Sequence, residues 1–272
     1  MKPGLFDYFR CDTTEDVVGV LTQYGEDARV LAGGQSLMAA LNMRLAQPKV
    51  LVDISKTATL DYVKVAGEML IIGAAATQGS VEWRATLGDE VPLLKLAFPH
   101  ISHFQIRNRG TVCGSVAHAD PSAELPLVLL ALGGKVVLRS KRGKRQLAAE
   151  DFFQGMLMTA RRPDEFIEEV CYPLRKPGTR YAFAEMAQRH GDFALAACAA
   201  SVDAASIRLA VGGVADRPRL LQLPRLAGSA LDDALNDFAW SLEAQDDQHA
   251  SARYRRHLVR RLGRRVIDEA SI

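Results

Sequence analysis

Cysteine is scarce in this chain of 272 residues. Metal and iron–sulfur sites built from thiolates need cysteines at close spacing, and the sequence contains no C-x-x-C pair. We therefore expect no structural disulfide, no zinc site and no iron–sulfur cluster within the chain. The four cysteines lie far apart, at Cys11, Cys113, Cys171 and Cys198.

Long apolar runs and a strong net charge are missing too. The sequence has no run of about 18 apolar residues, so we expect no membrane span. Its first residues do not resemble a signal peptide, and a cytoplasmic location is the default expectation. Lys and Arg together number 34 against 32 Asp and Glu, which argues against nucleic acid as the main partner.

Familiar nucleotide-binding and catalytic motifs are also absent. The sequence contains no G-x-G-x-x-G turn, no P-loop and no G-x-S-x-G nucleophile elbow. His100, His103 and His118 do not lie at the i, i+4 spacing of a helical metal site. No base at a recognised spacing supports Ser36 as a nucleophile.

What the sequence does contain is a pair of adjacent glycines between a strand and a helix. The segment Ala32-Gly33-Gly34-Gln35-Ser36 follows the apolar run 29–31 and precedes the helical pattern 37–41. Glycines let a ligand approach the main chain closely, and a helix N-terminus favours an anion. We predict Ser36 as the helix N-cap and a phosphate as the occupant; an ordinary strand-to-helix turn is the alternative.

A second glycine segment, Gly110-Thr111-Val112-Cys113-Gly114-Ser115, has the same character. Two phosphate-sized loops suggest a pyrophosphate that is held from both sides. The sequence therefore favours a dinucleotide ligand.

The chain divides into three predicted parts. Strands and helices alternate over residues 1–55 and continue over 56–176. Pro177-Gly178 marks the predicted junction with the third part, 177–272, which ends in an arginine-rich amphipathic helix. We expect its arginines to face solvent or acidic neighbours; nucleic-acid binding is the minority interpretation.

Several ordered motifs, at residues 31–37, 106–115, 118–126, 151–155, 189–194 and 211–215 and in the last helix, together resemble one family. The chain is similar, over nearly its full length, to the FAD-binding (medium) subunit of molybdenum hydroxylases, of the carbon monoxide dehydrogenase type, and more distantly to the flavin domain of xanthine dehydrogenase. The resemblance implies an α+β fold: a two-part FAD-binding region of the vanillyl-alcohol-oxidase/PCMH type, then a C-terminal α+β domain of the CO-dehydrogenase flavoprotein type.

The resemblance also implies the cofactor contacts. Both glycine segments would wrap the FAD pyrophosphate. Asp120 and Glu124 would meet ribose or ribityl hydroxyls, although Glu124 also suits the N-terminal turn of a helix. Phe193 would lie beside the isoalloxazine, with a place in the core as the alternative. The pyrophosphate residues are Ala32, Gly33, Gly34, Gln35, Ser36, Thr111, Gly114 and Ser115, and Leu31 and Leu37 are further cofactor-binding residues.

The chain departs from the family pattern at three positions. Cys113 stands where many relatives have glycine, and Arg161 where they often place a leucine near the flavin. Glu185 stands where they often carry a lysine, which would favour negative charge on the reduced ring. These departures suggest a different flavin potential or electron acceptor.

By resemblance, the function is that of an FAD-carrying electron-transfer subunit. Electrons would come from two 2Fe–2S clusters in a small partner subunit, after a large molybdopterin subunit with a molybdenum cofactor has oxidised the substrate. The flavin supplies the chemistry, so we assign no catalytic side chain. We expect a dimer of heterotrimers. A free-standing FAD-dependent oxidoreductase and a nucleotide-binding assembly protein remain the alternatives.

Overall fold

A computed structural model describes residues 2–271, and its first part is a small parallel sheet. The strands lie in the order β1-β3-β2. The first helix begins with a capping box, in which Thr13 and Asp16 bond each other's backbone amide. The elements are β1 (Asp7–Arg10), α1 (Thr14–Tyr24), β2 (Ala28–Leu31), α2 (Gln35–Asn42) and β3 (Val50–Asp53).

The second part is built on a five-stranded antiparallel sheet. Its strands are β4 (Val63–Ala66), β5 (Met69–Gly73), β6 (Lys135–Ser140), β7 (Gly143–Ala148) and, after the hairpin β8 (Phe153–Gly155) and β9 (Met158–Thr159), β10 (Phe166–Pro173). Their order in the sheet is β4-β5-β10-β6-β7. The helices are α3 (Gln78–Glu82), α4 (Leu87–Glu90), α5 (Pro92–Ala97), α6 (Phe104–Arg107), α7 (Val112–His118), α8 (Glu124–Leu132) and α9 (Ala149–Phe152).

The third part is a four-stranded antiparallel sheet covered by two helices. Its strands β11 (Arg180–Met186), β12 (Ala196–Val202), β13 (Ser206–Gly212) and β14 (Arg219–Pro224) pair in chain order, and α10 (Gly228–Ser241) and α11 (Ala252–Glu269) follow. Every residue of β12 is buried, because α11 packs on one face and α8 on the other.

The arginine-rich helix is amphipathic, as predicted. Its buried face carries Leu258, Val259, Leu262 and Val266. Arg255 departs from the prediction, because it is only 6% exposed and donates to the carbonyl oxygens of Leu195 and Gly213 as well as to Asp247. No helix within residues 2–271 combines the length and apolar character that a membrane crossing requires.

The two boundaries between the three predicted domains stay a prediction. The first two sheets share one apolar core. The C-terminal sheet and the two helices that cover it form a second apolar core. The second core includes side chains of β12, α10 and α11. Contacts of α8 with β12 and β13, and of α5 with β11, join the second and third parts.

Candidate functional site

The first glycine segment turns β2 directly into α2. Gly34 is the N-cap, with a left-handed backbone at φ 72°, and the helix begins at Gln35. The prediction of Ser36 as N-cap is therefore wrong: Ser36 is an exposed residue of the first turn. Met38 N donates to Gly34 O at 3.0 Å, so the amides of residues 35–37 have no acceptor inside the helix. We call residues 32–37 the first cradle.

The second glycine segment is more helical than the sequence suggested. Thr111 is the N-cap of α7, and its Oγ1 accepts from Gly114 N at 2.9 Å. Ser115 consequently lies inside a helix, not in a loop. A Cβ on Gly114 would lie 2.6 Å from Thr111 Oγ1 and would disturb the cap. We call residues 109–115 the second cradle.

Cys113 fits because its backbone is helical. Its side chain is buried, and its Sγ donates to Ile72 O at 3.4 Å. Burial raises the pKa of the thiol well above its usual range. A residue with a Cβ is therefore accommodated here, and Cys113 is a core side chain facing β5.

The two cradles touch through their backbones. A Cβ on Gly33 would lie 2.3 Å from Arg109 O and 2.6 Å from Gly110 Cα. No side chain of any size fits in this space, so close approach, rather than an unusual φ, requires the glycine. The structure thus brings together the two glycine segments, which are far apart in the sequence.

Buried polar groups that the sequence did not reveal hold the second cradle in place. Arg107 Nε donates to Glu82 Oε2 at 2.7 Å, and its Nη1 donates to Ile101 O at 2.7 Å. Gln78 N donates to Gly110 O at 2.7 Å. The only signal for Arg107 was its position in the segment 106–115, which carried no assignment for the side chain.

The predicted acidic residues follow α7. Asp120 Oδ1 accepts from Ser122 N at 2.8 Å. Glu124 is the first residue of α8, as the alternative interpretation of this acid expected, and it is 6% exposed. Burial raises the pKa of its carboxyl group to about 8, and the charge of Glu185 acts in the same direction. Glu124 is therefore largely protonated at neutral pH.

Glu185 forms a buried pair with His100, to which the sequence assigned no role. His100 Nδ1 lies 3.3 Å from Glu185 Oε1, and the Glu185 side chain is 4% exposed. The pair raises the pKa of His100 above its usual value. Glu185 Oε2 is buried and has no hydrogen-bond partner among residues 2–271. We call His100, Glu124 and Glu185 the acid–imidazole cluster.

Phe193 is a surface residue. It is 62% exposed and lies before β12, so its interpretation as a core phenylalanine is wrong. The chain around it is tightly held, because Leu195 N donates to Met186 O at 2.8 Å and Gly213 N donates to Pro121 O at 2.8 Å. These bonds place the Phe193 segment, β11 and the Asp120 segment at one junction.

Arg161 lies in the loop between β9 and β10. Its Nη1 donates to Glu165 O at 2.8 Å and to Arg162 O at 3.0 Å, both within its own loop. Burial and the charge of Arg29 lower its pKa. Arg29, whose charge acts on Arg161, is a residue of β2.

The chemistry of these groups suits a dinucleotide better than a metal. Among the described residues, no group of three or more His, Cys, Asp or Glu side chains is arranged to hold a metal ion. The two cradles offer backbone amides and glycine-lined space, the features that a diphosphate needs. The residues present therefore fit FAD.

Comparisons with known proteins agree with this fold. The family described as the FAD binding domain in molybdopterin dehydrogenase matches residues 4–175. The CO dehydrogenase flavoprotein C-terminal domain matches residues 181–270. These matches confirm the predicted fold class.

Relatives match the chain from end to end. The nicotine 6-hydroxylase medium subunit of Paenarthrobacter nicotinovorans is 38% identical, over 99% of each chain. The carbon monoxide dehydrogenase medium chain of Afipia carboxidovorans is 33% identical, over 99% of this chain and 98% of that one. The structure of CO dehydrogenase from Oligotropha carboxidovorans superimposes with a TM-score of 0.94 at 32% identity, over 99% of each chain.

Proposed function

The chain belongs to the family of FAD-binding medium subunits of molybdenum hydroxylases, and from this premise we propose that it relays electrons from a partner subunit to an external acceptor. It is one subunit of an oxidoreductase complex. We propose that two 2Fe–2S clusters in the small subunit deliver the electrons, and that the large molybdopterin subunit oxidises the substrate. A dimer of heterotrimers is the proposed assembly.

We propose that the two cradles hold the FAD pyrophosphate. The observation that carries this assignment is the contact between Gly33 and the Arg109–Gly110 backbone, which joins two sets of main-chain amides around one space. The proposed contacts are Leu31, Ala32, Gly33, Gly34, Gln35, Ser36 and Leu37 on one side and Thr111, Gly114 and Ser115 on the other.

The remaining assignments follow the path of the chain away from the cradles. We propose that Asp120 binds cofactor hydroxyl groups, since it lies just beyond α7. Phe193, exposed at the junction, would cover the flavin ring. Glu124 and Glu185 lie beneath the same junction. Arg161 would contact the cofactor from the side of β2.

When bound, FAD supplies the redox chemistry, because it accepts electrons singly and passes on one or two. The side chains described above bind and orient it, and none is assigned a bond-making role. We propose that the large subunit determines which substrate is oxidised. A cytoplasmic location stays a prediction, which cell fractionation tests.

Co-expression with the genes of the other two subunits tests the proposal. We expect a tagged chain to retain a yellow cofactor and to co-purify with an iron–sulfur subunit and a molybdopterin subunit. Full substrate turnover by the chain alone, with no co-purifying partner, would instead favour a free-standing oxidoreductase. Nucleotide binding without flavin absorption would favour an assembly protein.

A further inference from the structure

We propose that Gln35 and Gln78 are positioning residues of the two cradles. The side-chain amide of each donates to a cradle carbonyl oxygen, and this holds the opposite end of the same peptide group, its N–H, in place for an anion. The inference deepens the proposed function and rests on it, because it takes the cradles as the site of the FAD pyrophosphate. It adds Gln78, which lies outside both cradles, to the residues of that site.

In the first cradle, a side chain fixes a peptide group between two glycines. Gly33 and Gly34 lack a Cβ, so the peptide between them meets less resistance to rotation than one between other residues. Gln35 Nε2 donates to Gly33 O at 2.9 Å. Since the carbonyl and the N–H of a trans peptide point in opposite directions, this bond directs Gly34 N–H away from the Gln35 side chain. That N–H has no backbone acceptor among residues 2–271 and is available to a ligand.

Gln78 serves the second cradle from a neighbouring segment. Its backbone N–H donates to Gly110 O at 2.7 Å, and a β-bridge joins Thr77 to Thr111 beside it. Its side-chain Nε2 donates to Thr111 O over a longer 3.5 Å. One residue thus occupies two successive carbonyl oxygens of the cradle. The N–H ends of the same two peptides point the other way, as in the first cradle.

Occupied carbonyl oxygens favour an anion as the ligand. A diphosphate accepts hydrogen bonds, so N–H groups stabilise it, whereas a carbonyl oxygen turned toward it repels it. A glycine-rich turn can present either group, depending on the rotation of its peptides. Because Gly33 O, Gly110 O and Thr111 O each accept from a glutamine, turning any of these peptides over breaks a hydrogen bond. The two glutamines therefore keep the cradles in the form that suits a diphosphate.

The position of Gln78 has a cost for stability. The residue is only 6% exposed, and its Oε1 is buried without a hydrogen-bond partner among the described residues. A buried acceptor that lacks a partner is unfavourable. Methionine has a similar length and no such oxygen, so it would serve the packing at least as well. We therefore expect Gln78→Met to affect ligand binding and stability differently.

Fluorescence titration with FAD and calorimetric titration with inorganic pyrophosphate, both on the FAD-depleted full chain, test the inference. Gln35→Met should weaken both ligands about tenfold, because it removes a short hydrogen bond to a cradle carbonyl. Gln78→Met should weaken both about threefold, since its side-chain bond is longer and its backbone bond to Gly110 stays. The control Gln47→Met removes a comparable bond, from an exposed glutamine to Arg44 O, and should change neither affinity.

Denaturant titration of the ligand-free variants separates positioning from structural support. Glutamine and methionine have similar helix propensities, so Gln35→Met should leave the free energy of unfolding unchanged. Gln78→Met should leave it unchanged or raise it, because the unpaired buried oxygen is gone. A loss of stability that parallels the loss of affinity, or the failure of either variant to fold, would overturn the positioning role.

The outcomes also separate this inference from the proposed function. An unaltered chain that binds no FAD contradicts the proposed function. An unaltered chain that binds FAD but not pyrophosphate contradicts the assignment of the cradles, and the inference with it. If the unaltered chain binds both ligands, the inference alone is overturned when Gln35→Met or Gln78→Met keeps its full affinity for pyrophosphate.

Discussion

The two ends of the candidate site are built in different ways. The cradles use backbone amides and glycines from short segments, and a close approach of main chains defines their shape. The acid–imidazole cluster uses side chains from three distant parts of the chain, and burial and charge define its properties. The first end offers glycine-lined main chain and free amides, whereas the second end holds buried titratable side chains.

The strongest test of this contrast is to remove the support of the second cradle. Arg107→Met leaves Glu82 buried without its partner, and breaking such a pair costs about 3–5 kcal/mol of unfolding free energy. Denaturant titration measures the loss. Arg84→Met, which breaks the more exposed pair with Glu90, should cost much less. Equal losses for both variants would contradict a supporting role specific to Arg107.

A smaller effect is expected when a side chain is introduced where the two cradles touch. Gly33→Ala places a Cβ against Arg109 O, and overpacking of this kind costs about 1–3 kcal/mol. If the cost falls on the bound state, FAD affinity drops about 10- to 100-fold, which fluorescence titration measures. Gly88→Ala is the matched control, because a Cβ there meets nothing within 4 Å. Unchanged affinity in Gly33→Ala would remove the main support for the pyrophosphate site.

The cluster end should respond to pH instead. The folded pKa of Glu124 is about 8, against about 4.3 in an unfolded chain. Between these values the folded state binds the extra proton, so the free energy of unfolding falls as pH rises, by at most about 1.4 kcal/mol per unit. Glu124→Gln should lack this slope when stability is measured from pH 5 to 8, and the exposed control Glu26→Gln should retain it. A retained slope in Glu124→Gln would show that another group titrates.

The smallest effect separates helix capping from ligand binding. Thr111→Ala removes the cap of α7, and Thr13→Ala removes the cap of α1; each should cost about 1 kcal/mol of unfolding free energy. Only the first lies in a cradle. FAD retention after gel filtration should therefore fall in Thr111→Ala alone, and a parallel loss in Thr13→Ala would attribute the effect to stability.

Features encoded by neighbouring residues could be predicted from the sequence. The capping box at Thr13, the hairpin turn at Gly67 and the proline that starts α5 all form where the pattern indicates. The two glycine segments were found for the same reason, since the residues that shape each turn are adjacent. The family resemblance added the order of the domains and the nature of the cofactor.

Features that depend on distant residues could not be predicted. Nothing near Gly34 shows that it, and not Ser36, caps α2. His100 and Glu185 are 85 residues apart in the numbering, and only the packing of α5 against β11 brings them together. Arg255 looked like the other arginines of its helix until the fold supplied two buried carbonyl oxygens as acceptors.

The backbone contact at Gly33 also bears on how the cofactor enters. No side chain stands between the two cradles there, so no rotamer change can open a passage at this point. At the proposed pyrophosphate site, passage of the dinucleotide through this contact would have to separate two stretches of main chain, which is a local unfolding event. We therefore expect loading to be easiest while the polypeptide is still folding, and exchange in the finished subunit to be slow.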